Sequence, residues 1–313
     1  MTEASTGTTT KRFYPQAWLS IIRPQNCIIG GLTVLAGVLM AFTRGMVGVL
    51  STHYLLLIYG YVTYFFVAAG GNVVNDIFDI EVDKINRPHR ALPSGRMTIK
   101  QAWAYVAFLS AAGLLFAILT GPFSALIVLV FLIVGYVYAA KVKTLGLAGN
   151  FMVAFSFAFG ILYGAFAYAE TVGFPLTSSI PVVHWLFFFT AFLILQARET
   201  IKGAEDVEGD EARDVRTIAR IYGYKAAAGV AAGLNFIGVF SYVLIWILGF
   251  ASWDLWLILL LGAGIVIGAG IAPLTGPDNK RALLIGSTLD KVGALVGLIA
   301  FIIIPLYEIF FVL

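Results

Sequence analysis

The feature that most constrains this chain is a succession of apolar stretches, each about twenty residues long and nearly free of charge. They fall at approximately 19–42, 54–74, 101–119, 123–140, 148–168, 183–198, 226–249, 255–273 and 291–312. A helix rises 1.5 Å per residue, so about 20 apolar residues cross a hydrocarbon core about 30 Å thick. Turn chemistry separates the runs: Gly-Pro at 121–122, Gly-Pro at 276–277, and the loop AETVGFPLTSSIP at 169–181. Composition agrees, with 60% hydrophobic and 12% charged residues against about 45–50% and 25% in ordinary globular domains. The expectation is an all-α polytopic membrane protein with nine transmembrane helices.

Charge gives the orientation. Cytoplasmic loops of membrane proteins carry an excess of Lys and Arg. With the N-terminus inside and the spans alternating, every one of the 20 basic residues except Arg44 falls in an inner segment. The expected arrangement is an integral protein of the cell membrane with a cytoplasmic N-terminus and an outer C-terminus. Residues 1–12, rich in Thr, Ser and Gly, read as a disordered tail without a cleavable signal, leaving 13–313 as one transmembrane domain. The net charge of +3 suggests no nucleic-acid partner. The single cysteine, Cys27, excludes an internal disulfide framework and a cysteine-based metal site. No obligatory protein partner is evident.

Two inner loops interrupt this apolar pattern with dense charge. The first, GGNVVNDIFDIEVDKINRPHRALPSG from Gly70 to Gly95, places four acids within eight residues. If the helix of the second span runs past Asn75, Asn72, Asp76, Asp79 and Asp83 lie within about 60° of one another, with Asn75 one step off the stripe. Carboxylates aligned this way repel unless cations neutralise them. A merely solvated acidic loop rarely aligns its acids beside Ile77, Phe78, Ile80 and Val82. Carboxylates with side-chain amides are hard oxygen donors suited to Mg²⁺, which commonly bridges a few carboxylates to substrate phosphates. Lys84, Arg87 and Arg90 stand nearby as phosphate-binding cations.

The second loop, QARETIKGAEDVEGDEARDVRTIARIYG from Gln196 to Gly223, repeats the chemistry. On a helix Glu199, Lys202, Asp206 and Asp210 fall within roughly 80°. Gly203 shares that face and leaves room for close approach. Alone, this stretch reads equally well as a charged amphipathic segment at the membrane surface. Paired with the first, it suggests one site with metal ions between two Asp-rich cytoplasmic caps.

NDIFDIEVD (Asn75 to Asp83) resembles the NDxxDxxxD signature of the UbiA-type intramembrane prenyltransferases. NRPHRALPSG (Asn86 to Gly95) is similar to the segment that follows it in that superfamily, with Ala91 where proline is usual. RETIKGAEDVEGD (Arg198 to Asp210) is similar to the second family motif, with Gly203 where many members carry Asp. RPQN (Arg23 to Asn26) and YVYAAKVKTLGLAGN (Tyr136 to Asn150) resemble two further segments. The resemblance implies a ring of nine helices around a central cavity. It implies transfer of an isoprenoid chain from an allylic prenyl diphosphate to a lipophilic acceptor in the bilayer, with Mg²⁺ as cofactor.

The same resemblance implies roles. Asn72, Asn75, Asp76, Asp79, Asp83, Asp206 and Asp210 would bind metal, the five aspartates being essential for catalysis. Arg23, Asn26, Asn72, Lys84, Arg90, Tyr138, Lys141, Arg198 and Lys202 would bind substrate. Phe78, Tyr136, Tyr138 and Tyr163 are candidates to face an allylic cation, although packing explains any single one as well. Lys143, Arg213, Arg216, Lys280 and Arg281 are equally explained by inner-loop topology. His53, His89 and His184 look peripheral. The motif wording looks most like the archaeal members that act in ether-lipid synthesis, which implies transfer of geranylgeranyl to geranylgeranylglyceryl phosphate. The alternative is an aromatic prenyltransferase of quinone-type biosynthesis with an acceptor like 4-hydroxybenzoate. A divalent-cation transporter is more distant, because its acids should sit near the bilayer midplane on broken helices.

Overall fold

The computed structural model describes residues 14–44, 54–142, 146–174, 180–207 and 215–311. The expected tail at 1–12 lies outside them. All regular structure among the described residues is helical, and nine helices there are long and apolar enough to cross a membrane. The elements are α1 (Pro15–Ile21), α2 (Pro24–Thr43), α3 (Tyr54–Phe78), α4 (Ile80–Asn86), α5 (Ile99–Thr120), α6 (Pro122–Val137), α7 (Leu147–Thr171), α8 (Val182–Glu205), α9 (Ile218–Tyr222), α10 (Tyr224–Ile247), α11 (Trp256–Thr275) and α12 (Lys280–Phe311). A π-helical turn, Tyr138–Val142, continues α6, and a 3₁₀ turn, Trp253–Leu255, leads into α11.

Three of the boundaries that differ from the apolar pattern have a local reason. The first span begins at Pro24 because Arg23 adopts φ 51° and ψ 64°, which breaks it from α1. Proline disfavours a helical conformation in the residue before it and suits the first helical position. The second span continues to Phe78, and Asp79 at φ −90° and ψ 0° separates it from α4. The last helix starts eleven residues earlier than its apolar run, at Lys280, since Lys280, Arg281 and Asp290 interrupt hydropathy without interrupting backbone geometry.

α2 packs on α7 and α3 on α5, while α8 packs on α10 and α12 and α11 joins those two. Core clusters form around Met40, Phe187, Trp246 and Phe301 on one side and around Val38, Tyr163 and Tyr168 on the other. Many large apolar side chains stay exposed on the outward faces, among them Phe108, Phe240 and Leu257. Such a continuous apolar exterior is the surface a bilayer covers.

One tie is long-range. α6 starts after Gly121, and the Glu170 carboxylate accepts from Phe123 N (2.6 Å), Ser124 N (2.9 Å) and Ser124 Oγ (2.7 Å). It satisfies amides that the helix cannot satisfy itself and opposes the positive end of the helix dipole. Glu170→Ala should cost about 1–2 kcal/mol, as loss of a strong cap does. Thermal unfolding followed by circular dichroism in detergent should show Tm lowered by roughly 4 °C; an unchanged Tm would refute the capping role.

Candidate active site

The first acidic motif occupies the last turn of α3 and the start of α4. The left-handed turn at Arg23 swings its side chain onto α3, where Nη2 pairs with Asp76 Oδ1 and Nη1 lies 3.5 Å from Asn72 Oδ1. Asn72 is fixed in turn, its Nδ2 donating to Ile22 O at 2.8 Å. From the other side Arg90 donates to Asp76 Oδ1 at 3.2 Å and Asp83 Oδ2 at 2.6 Å. Asp76 and Asp83 are both buried. The segment after α4 is a packed plug. Ala91, Leu92 and Met97 are buried with Ile21, Cys27 and Val73. Met97 N donates to Ala91 O at 3.1 Å and Ser94 Oγ to Arg90 O at 2.6 Å. These bonds hold the Arg90 backbone where its guanidinium can close over the two aspartates.

Other expected residues fall elsewhere. Lys84 lies exposed and pairs with Glu81 at 2.8 Å. Asn26 is exposed in the first turn of α2. Phe78 packs outward against Trp103 and Tyr136, with ring centroids 6.3 and 5.6 Å away. His89 is exposed in the plug, and its carbonyl accepts from Arg96. His184 is buried in α8, its Nε2 3.1 Å from Gly37 O of α2. His53 and Lys143 lie outside the described residues.

The second motif closes α8. Arg198 Nη1 donates to Glu199 Oε1 at 2.7 Å, and Asn150 Nδ2 of α7 donates to Glu199 O at 3.2 Å. Lys202 is half-buried one turn on, and Asp206 is exposed just past the helix end. Asp210 lies outside the described residues. Gly203 does not open toward the acids as its helical position suggested. A Cβ there would meet Thr217 Cγ2 at 3.1 Å, so the glycine lets α8 seat against the turn before α9. Tyr138, in the π-helical turn, joins the two motifs: Glu199 and Asp79 are the acids within electrostatic reach of its hydroxyl, and Arg23 is the cation. Lys141 lies exposed in the same turn.

Beneath this polar mouth a cavity of about 400 Å³ runs between α3, α5, α6 and α7. Asn72, Asn75 and Tyr138 line its inner end, and Thr63, Phe159 and Tyr163 line its deeper part. Thr63 and Asn75 are twelve residues apart on α3, which makes the cavity about 18 Å long. Sequence reasoning placed Glu199 on the acidic stripe without assigning it, and missed the tie from Asn150. Only the α7–α8 packing reveals that tie.

Among the described residues no three acidic side chains converge as a ready-made metal cage. Arg90 bridges Asp76 and Asp83, Arg23 pairs with Asp76, and together they supply the neutralising charge. The donors nevertheless fit Mg²⁺. Asn72 Oδ1, Asn75 Oδ1 and the two carboxylates are hard oxygens at one mouth, and Asn75 Oδ1 is buried without a partner.

Comparison with known proteins agrees with this arrangement. Residues 30–283 match the UbiA prenyltransferase family. A digeranylgeranylglyceryl phosphate synthase of Sulfolobus acidocaldarius is 37% identical over 238 residues, which covers 75% of this chain and 80% of that protein. A solved structure of a digeranylgeranylglyceryl phosphate synthase superposes with a TM-score of 0.74 at 28% identity, covering 93% of this chain and 98% of the other. A UbiA homologue from Archaeoglobus fulgidus, solved with geranyl diphosphate (GPP) and Mg²⁺ bound, shares the fold at a TM-score of 0.59. It is 17% identical, with coverage of 91% of this chain and 99% of that one. The family match spans most of the chain, and the chain belongs to the UbiA prenyltransferase family.

Proposed function

We propose that the protein is an intramembrane prenyltransferase that moves a geranylgeranyl group from geranylgeranyl diphosphate to the free hydroxyl of geranylgeranylglyceryl phosphate. One observation carries the reading: Arg23 and Arg90 converge on Asp76 at the mouth of an apolar cavity whose rim bears Asn72 and Asn75. The site is polar where a diphosphate needs charge and apolar where an isoprenoid tail needs burial.

Asn72, Asn75, Asp76, Asp79, Asp83, Asp206 and Asp210 would hold Mg²⁺, which when bound neutralises the diphosphate and makes it a better leaving group. The chain's own residues do the rest. Arg23, Arg90, Lys141, Arg198 and Lys202 bind diphosphate oxygens through charge-assisted hydrogen bonds. The apolar walls keep water from quenching an allylic cation, and the rings of Tyr138 and Tyr163 offer it their π faces. The C–O bond to diphosphate breaks, and the acceptor oxygen forms the new ether bond as it loses its proton. The excess of Lys and Arg in the inner loops supports a cytoplasmic mouth and an outer C-terminus. Arg44, the one basic residue at the outer end, is paired there with Glu308.

The acceptor assignment draws on the named activity of the similar synthases. No observation favours an aromatic acceptor, and a transport path has no support in acids gathered at helix ends. Purified protein with labelled geranylgeranyl diphosphate should give a Mg²⁺-dependent ether product with geranylgeranylglyceryl phosphate and none with 4-hydroxybenzoate. Product with the aromatic acid alone would move the protein to quinone-type chemistry. No product with either acceptor, together with cation uptake into vesicles, would overturn the enzyme reading.

A further inference from the structure

Asp290 is the one acid buried deep within a span among the described residues. The apolar run placed it in an inner loop, but α12 begins at Lys280, and Asp290 lies ten residues along it with 0% exposure. Neither carboxylate oxygen has a hydrogen-bond partner, and neither does either polar atom of Asn235, also 0% exposed, on α10. An unpaired carboxylate in such surroundings costs several kcal/mol, so its retention needs a partner in some state of the protein.

Helix register identifies that partner. α8 and α12 are antiparallel. Phe187 stacks on Phe301 toward the outer side, with centroids 3.9 Å apart, and Leu283 packs with Ile201 and Ala204 toward the inner side. Eleven residues inward from Phe187 is Arg198; eleven residues inward from Phe301 is Asp290. Eleven residues is three turns to within about 20°, so both residues keep the faces that the stacked rings present to each other. Arg198 is the cation within electrostatic reach of Asp290, and Asn235 the amide beside it. Arg198 spends one nitrogen on Glu199, while its buried Nε has no acceptor. Two unmet groups thus face each other across the α8–α12 seam.

We propose that Asp290, backed by Asn235, is a positioning residue that takes over Arg198 when Glu199 turns toward a metal ion. The guanidinium exchanges one carboxylate for another, and the metal ion takes the carboxylate that is released, so metal binding shifts the balance between the two arrangements. Asp290 keeps Arg198 at the mouth, oriented toward a diphosphate, while Glu199 joins the donors near Asp79 and Tyr138. Its geometry stands alone; its ligand rests on the prenyltransferase reading.

The test uses full-length protein and a slow donor analogue, geranylgeranyl thiolodiphosphate, whose binding is titrated with Mg²⁺. Asp290→Asn should raise the Mg²⁺ midpoint about tenfold, as loss of an outer-shell partner does. Its Tm without Mg²⁺ should not fall, because Asp290 makes no ion pair in that arrangement. Asp290→Glu should restore the Mg²⁺ midpoint toward wild type. Arg198→Gln with Asp290→Asn should bind no more weakly than Arg198→Gln alone. An unchanged midpoint in Asp290→Asn, losses that multiply in the double variant, or a lowered Tm with no Mg²⁺ effect would each overturn the proposal. A charge swap decides the pairing without ligand. Arg198→Asp with Asp290→Arg should melt above both single variants, and additive loss would overturn it. Wild-type protein that binds no analogue at any Mg²⁺ concentration would defeat the prenyltransferase reading, and the swap would still support or refute the pair.

Discussion

Asp76→Asn yields a folded protein that has lost turnover by about 10³-fold, a barrier increase of about 4 kcal/mol. Asp76 is the residue on which Arg23 and Arg90 meet, and it is 5% exposed at the rim of the cavity. The amide keeps the volume and an oxygen, but it removes the charge that must hold a divalent cation against the repulsion of two guanidinium groups. Folding should survive. Arg90 retains Asp83 at 2.6 Å, and Arg23, with a third of its side chain exposed, can turn to water. Ion pairs open to solvent contribute little to stability. Glu81→Ala is the matched control, since Glu81 is exposed and its bond among the described residues is to Lys84. Product formation from labelled geranylgeranyl diphosphate at saturating Mg²⁺ is the measurement. Activity above a tenth of wild type in Asp76→Asn, with Glu81→Ala unchanged, would remove Asp76 from the catalytic set.

Much of this architecture is legible in the sequence because lipid makes the rules simple. Long apolar runs must be helices when no water is present to satisfy the backbone, so the nine spans stand out by length. The acidic motifs stand out because charge is rare in such a chain. What is not legible depends on contacts between residues far apart. Nothing near Phe123 and Ser124 announces that Glu170, on the next helix, caps α6. The spacing of Asp76 and Asp83 gives one stripe, but not that the plug after α4 folds back and sets Arg90 between them. Helical periodicity put Gly203 on the acidic face, whereas packing against Thr217 explains it. Hydropathy began the last span at Lys291, one residue past the buried Asp290. Proximity in sequence suggested a ligand role for Lys84, and its exposed pairing with Glu81 is a contact the sequence did not announce.

The α2–α7 crossing should be the least tolerant place in the fold. A Cβ on Gly37 would lie 2.0 Å from Ile161 O, and a Cβ on Gly164 would lie 2.2 Å from Val34 O. Both obstacles are backbone carbonyls held in helical hydrogen bonds, so no rotamer can relieve them. In a membrane, helices gain association through close backbone approach at small residues, and that gain is lost when they are pushed apart. Gly37→Ala therefore forces the helices apart by more than an ångström. The movement also pulls Gly37 O from His184 Nε2, now 3.1 Å away, and disturbs the α2–α8 tie. Overpacking of this kind costs about 3 kcal/mol or more, which corresponds to a fall in Tm of roughly 6–12 °C. Gly37→Leu should leave no monodisperse protein on size exclusion. Gly233 on α10 provides the opposite sign. Nothing lies within 4 Å of its added Cβ, so Gly233→Ala should gain about 0.5–1 kcal/mol from reduced chain freedom. Thermal unfolding of Gly37→Ala and Gly233→Ala in one detergent separates the two effects. If Gly37→Ala melted like Gly233→Ala, backbone contact would not be what holds α2 to α7, and the crossing would have to rest on the side chains around it.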